Sequence, residues 1–111
     1  MEVFEYNGEG FMPVKEFEGW RIGVLRYGER FSKCVELERH LKSDEAFVLL
    51  EGGAVIYEND MSVEMEKNKV YNVKKGIWHH ITVSEDAVVL VVENSNTTGE
   101  NSERLVVEKK G

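Results

Sequence analysis

Short runs of β-branched and aromatic residues recur along this chain about every ten residues, and helical periodicity is almost absent. The runs are Met12–Phe17, Trp20–Tyr27, Lys33–His40, Glu45–Leu50, Ala54–Glu58, Ser62–Glu66, Val70–Val73, Ile77–Val83 and Val88–Glu93, with a tenth at Arg104–Glu108. Between them stand residues with turn chemistry: Gly28-Glu29, Lys42-Ser43-Asp44, Gly52-Gly53, Asn59-Asp60, Lys75-Gly76 and Ser84-Glu85-Asp86. Many short strands at this spacing specify an all-β, antiparallel sandwich or small barrel. The Gly52-Gly53 pair suggests a hairpin turn, since both residues tolerate positive φ.

At 111 residues the chain is expected to form a single domain, 1–111, with 41% hydrophobic residues to build one modest core. The 21 acidic and 14 basic side chains leave a formal charge of -7. That balance argues against a nucleic-acid surface, which needs a basic patch to displace counterions. The opening residues, Met-Glu-Val-Phe-Glu-Tyr, carry no basic region or long apolar run, so no signal peptide is expected. No apolar run reaches the roughly 18 residues a spanning helix needs, and no membrane partner is expected. Cys34 is the single cysteine and cannot form an internal disulfide. These features fit a soluble cytoplasmic protein. Cys34 reads as a small packing residue rather than a nucleophile, because no neighbouring base can be assigned to it.

Strand periodicity of two gives facing information. In Trp20–Tyr27 the residues Trp20, Ile22 and Val24 share one face, opposed by Arg21 and Gly23. In Ile77–Val83 the residues Ile77, His79, Ile81 and Val83 share a face, which puts His79 inside; His80 falls on the other face and reads as structural or surface. In Lys33–His40 the residues Cys34, Glu36, Glu38 and His40 oppose Val35, Leu37 and Arg39. Read plainly, that strand turns Glu38 and His40 to solvent. A β-bulge near Leu37–Arg39, or a polar pocket inside the barrel, would turn them inward instead. Trp20, Phe47, Tyr57 and Trp78 are candidates for a pocket wall, core or interface. Val88–Val92 is apolar on both faces, which calls for a second cover and suggests a homodimer, helped by Phe11, Met12 and Phe17.

Two spacings carry the chemistry. Glu38 and His40 precede Glu45, with four residues between His40 and Glu45, and Gly52 follows Glu45 after six more. Farther on comes Lys74-Lys-Gly76-Ile-Trp-His79. The pattern resembles the two motifs of the cupin superfamily: His-x-His, then Glu after three or four residues and Gly after six more, followed by Pro-x-Gly-x-x-His. Glu38 stands at the first histidine and Lys74 at the proline, while His40, Glu45, Gly52, Gly76 and His79 match. The asparagine that often ends the second motif is Val83 here. An oxygen ligand at the first histidine position is similar to some phosphomannose isomerase cupins.

The resemblance implies an antiparallel double-stranded β-helix, or jelly-roll barrel. It also implies a metal shell of His40, Glu45, His79 and Glu38, with imidazole and carboxylate donors that suit Mn, Fe, Ni or Zn. Such an ion would bind a small polar ligand, a sugar or carboxylate, and support isomerase, epimerase or dioxygenase chemistry. The rival reading is a non-catalytic, metal-free ligand-binding or sensing module. Fold analogy does not choose between them, and whether the protein is an enzyme stays open.

Overall fold

The computed structural model describes residues 1–107 and is built almost wholly from ten strands. These are β1 (Phe11–Phe17), β2 (Trp20–Arg26), β3 (Glu36–His40), β4 (Glu45–Glu51), β5 (Ala54–Glu58), β6 (Met61–Glu64), β7 (Val70–Val73), β8 (His79–Val83), β9 (Val88–Asn94) and β10 (Ser102–Val106). Each expected strand is present. Differences lie at the ends, where β3 starts at Glu36 rather than Lys33 and β8 at His79 rather than Ile77. Glu108, the last residue expected in the tenth strand, lies outside the described residues.

The strands form two five-stranded antiparallel sheets, ordered β1-β2-β9-β4-β7 and β10-β3-β8-β5-β6. Sequence neighbours β4 and β5 belong to different sheets, so Gly52-Gly53 does not make the expected hairpin; it carries the chain from one sheet to the other. The physical reason is that Phe47 and Leu49 of β4 and Ile56 of β5 all belong to the buried cluster between the sheets. Folding β5 back beside β4 would remove one wall of that core. Gly52 makes the crossing with φ at 72°, and a Cβ there would lie 2.7 Å from Ala87 Cα. At the opposite edge β1 shifts register between Pro13 and Lys15, as expected where a proline without an N–H interrupts an edge ladder.

The facing inner surfaces pass from apolar to polar along the strands. At one end Leu25, Leu49, Val83, Val89 and Ile56 interlock, all buried. Farther along, the inward positions become Phe47 and Glu45 on β4, Val91 and Glu93 on β9, Gly23 and Arg21 on β2, and Ile81 and His79 on β8. The interior therefore closes as a dry core at one end and opens as a polar cavity at the other. Glycine is required at position 23, because the Phe11 ring crosses it so closely that a Cβ would stand 2.1 Å from Cε2.

Outside the first sheet the apolar character continues. Trp20, Ile22, Val24, Val88, Leu90 and Val92 point away from the core, with Met12 and Phe17 beside them on β1 and Val48 and Leu50 on β4. Trp20, Met12, Phe17, Leu50 and Val92 are exposed. Among the described residues no helix is long and apolar enough to cross a membrane.

Candidate metal centre

The polar end encloses a cavity of about 330 Å³. His40, Glu45, His79 and Glu38 all line it, and each offers one ligand atom such that these atoms lie within 4.8 Å of one another. His40, Glu45 and His79 are buried, and Glu38 is half-buried. All four candidates from sequence thus meet at one point. Arrival by way of β3 resolves the facing ambiguity. The β3–β10 register is continuous from Glu36 to His40, without a bulge, so Glu38 and His40 face inward because the interior itself is polar there.

Local hydrogen bonds aim the donors. The His79 ring bonds the Ile77 carbonyl through Nδ1 at 3.0 Å. A carbonyl only accepts, so Nδ1 carries a proton; in the neutral ring the Nε2 lone pair therefore points at Glu45 Oε1, 3.0 Å away, and in the protonated ring Nε2 donates to it. His40 is placed similarly: Nδ1 is 2.8 Å from Ser102 Oγ, a hydroxyl that can accept from it or donate to it, and Nε2 stands 3.3 Å from the same Glu45 oxygen. His40 Nε2 is buried without a hydrogen-bond partner among the described residues. Glu38 Oε1 lies 4.0 Å from His40 Nε2, while its Oε2 takes a 3.0 Å bond from Arg30 Nη2.

With both imidazoles neutral and protonated on Nδ1, two Nε2 lone pairs and a carboxylate oxygen face one another and repel unless a cation lies among them. A proton on an imidazole meets that need, and so does a metal ion. The separations fit an ion, since neighbouring ligands held at about 2.1 Å and right angles stand about 3 Å apart. The donor set, with histidines fixed through their other nitrogens, also matches a metal centre.

Residues beyond the sequence candidates complete the site. Glu93 is buried beside Glu45 on the neighbouring strand, and Arg21 binds it through Nη2 at 2.6 Å and Nε at 3.0 Å. Burial and the bond shared with Glu45 push the Glu93 carboxyl up to about 8, against the opposing pull of Arg21. Burial also raises Glu45, but the polar contacts of His40, His79 and Glu93 with its carboxylate outweigh it and hold Glu45 well below the usual carboxylate range. For His79, burial works against the charged form, yet the bond and charge of Glu45 prevail and raise its pKa. Parity signalled Glu93, since it ends the inward row Val89, Val91, Glu93. Arg21 was hidden because its strand's apolar face, Trp20, Ile22 and Val24, looks outward.

Other expectations separate cleanly. His80 is buried, so the structural half of its reading holds and the surface half does not. Its ring stacks on Phe31 at 6.0 Å in the cavity wall, and burial lowers its pKa. Phe47 lines the cavity, whereas Trp20 is exposed on the outer face and Trp78 lies under the Arg39 guanidinium at 4.4 Å. Cys34 is half-buried, and burial pushes its thiol up, away from nucleophilic use.

No family model and no curated relative matches the chain. Solved structures do. A cupin-2 domain protein from Shewanella frigidimarina superposes with a TM-score of 0.67 at 19% identity, covering 80% of this chain and 84% of that one. The Streptomyces nucleoside dehydratase Pac13 reaches 0.71 at 10% identity, covering 91% and 82%. KdgF from Halomonas sp. gives 0.61 at 10% identity, covering 76% of each. Two facing antiparallel sheets, a polar cavity at one end and these superpositions agree that the chain has the cupin fold.

Proposed function

We propose that this protein binds a divalent metal ion through His40, Glu45, His79 and Glu38 and uses it to hold a small polar ligand, a sugar or carboxylate, in the cavity. The observation that carries this reading is the convergence of the two Nε2 atoms on one Glu45 oxygen. Ser102 and the Ile77 carbonyl hold both rings in the ligating orientation. When bound, the ion supplies a Lewis acid suited to isomerase or epimerase chemistry on a carbonyl, or a centre for oxygen-dependent chemistry. The chain's own residues do the rest: Glu93 and Arg21 orient Glu45, Arg30 orients Glu38, and the walls enclose the ligand.

A second reading is a metal-free binding module. It is favoured by the raised pKa of His79, because a protonated His79 paired with Glu45 also satisfies the cluster. Among the structural neighbours, Pac13 is described as a nucleoside dehydratase and was solved with uridine. We further propose a cytoplasmic homodimer that buries the apolar outer face of the first sheet.

Elemental analysis decides between the two readings. Protein purified without chelator and without a histidine tag is expected to carry close to one equivalent of a first-row metal, and His79→Ala to lose it. Absence of metal, together with no thermal shift from Mn, Fe, Ni, Co or Zn, leaves the metal-free module.

A further inference from the structure

Two in-register rows of side chains line opposite walls of the cavity and close on the same point. On the first sheet Arg21, Glu93 and Glu45 follow one another across β2, β9 and β4. On the second, Arg104, Glu38 and His79 follow across β10, β3 and β8. The rows meet where His79 Nε2 faces Glu45 Oε1 at 3.0 Å. Each row begins at the metal cluster and ends in a guanidinium, Arg21 on one wall and Arg104 on the other. Arg30 joins the second wall by its bond to Glu38.

The three arginines are incompletely engaged. Arg21 directs Nε and Nη2 to a single oxygen of Glu93 and Nη2 also to the Thr97 carbonyl. Among the described residues, Arg30 meets one oxygen of Glu38, and Arg104, on an open edge strand, has only a 3.5 Å contact with Glu36. Donors thus remain on both walls for a further acceptor.

Charge fixes the sign of that acceptor. The three guanidiniums lining the cavity formally face four carboxylates, Glu38, Glu45 and Glu93 within it and Glu36 against Arg104, so a bound divalent ion leaves one net positive charge. A divalent ion adds two positive charges to a partly closed space, where unbalanced charge is costly. A neutral sugar leaves that excess in place, whereas an anion cancels it. We infer that the ligand is a small organic acid, its carboxylate held between Arg21 on one wall and Arg30 and Arg104 on the other. This rests on the metal reading above and adds to it the charge of the ligand and the residues that select it. The cavity volume, near the low end for small-molecule sites, suits a compact acid.

The test is calorimetric titration of Mn²⁺-loaded protein with malate and with its neutral reduced counterpart, butane-1,2,4-triol, with bound Mn²⁺ measured in the same samples. Malate is expected to bind at least tenfold more tightly than the triol. Arg104→Gln, at an exposed edge position, is expected to weaken malate at least tenfold with Mn²⁺ content unchanged. Equal affinity for acid and triol, or an Arg104→Gln variant that binds malate as the wild type does, overturns the inference. If the wild type takes up no Mn²⁺, the metal reading fails by itself. Malate binding to that metal-free protein then still decides the arginine clamp: it stands if binding occurs and falls in Arg104→Gln, and is overturned if malate does not bind.

Discussion

His79 and Glu45 face each other at 3.0 Å with the neutral imidazole's proton committed elsewhere, on Nδ1 toward the Ile77 carbonyl. The contact needs a cation. Metal binding to the folded state alone raises stability by RT ln(1 + [L]/Kd), about 2.7 kcal/mol at a hundredfold excess over Kd. His79→Ala is expected to lose most of the resulting thermal shift. His80→Ala is expected to keep the shift while starting from a lower melting temperature, because its buried ring stacks on Phe31. Equal metal-induced shifts in wild type and His79→Ala would exclude His79 as a ligand.

Ser102 is expected to matter for metal affinity although it touches no ion. Its hydroxyl fixes the His40 ring through Nδ1 at 2.8 Å. Outer partners of this kind are typically worth about 10–100-fold in affinity. Ser102→Ala should therefore weaken metal binding by at least about tenfold, read by competition with a chelator of known affinity. Unchanged affinity would mean that His40 is held by packing alone.

The metal-free protein is expected to lose stability as pH rises from about 5 to about 8.5. Glu93 has a folded pKa raised to about 8, and His79 is also raised. Groups with raised folded pKa contribute stability below their unfolded values and lose it as pH climbs through the folded ones. Glu45, shifted the other way, keeps its contribution throughout this window and loses it only in acid. With metal the slope should reverse, because ligation requires neutral imidazoles and ionised carboxylates. Glu93→Gln, which mimics the protonated carboxyl, should flatten the metal-free profile. Melting temperatures across the range check this, and a metal-free profile rising toward pH 8.5 would contradict it.

The outer face of the first sheet is expected to be an interface. Trp20, Ile22, Val24, Leu90 and Val92 form a contiguous apolar surface. A two-fold dimer across it would bury at least about 1,000 Å². Sedimentation should show a dimer at micromolar concentration, converted to monomer by Val92→Arg with circular dichroism unchanged. A wild-type monomer under these conditions removes the dimer.

Gly52→Ala should cost about 1–3 kcal/mol. The residue sits at φ 72°, and the new methyl would meet the Ala87 backbone. Gly53→Ala, with only Ser84 Oγ near at 3.9 Å, should cost far less. Chemical denaturation compares the two, and equal losses would mean that the crossing does not depend on the left-handed conformation.

Much of this protein is local in its physics, and that part was legible in the chain. Alternation and turn chemistry act over a few residues, so the strands from β1 to β10 could be placed with errors only at their ends. The spacing of His40, Glu45, Gly52 and His79 pointed to one fold, and the four candidate ligands do meet. What a strand pairs with is not local. Gly52-Gly53 has the composition of a hairpin turn, yet burial of Phe47, Leu49 and Ile56 between two sheets makes it a crossing. Parity divides a strand into two faces without saying which is inside. The apolar Trp20, Ile22 and Val24 lie outside, whereas Arg21 lies within, because a charged row ending at Glu45 needs its cation there. The same limit left the facing of Glu38 and His40 open. Only the opposing sheet, bringing Glu45 and Glu93 against them, makes a polar interior that favours their burial.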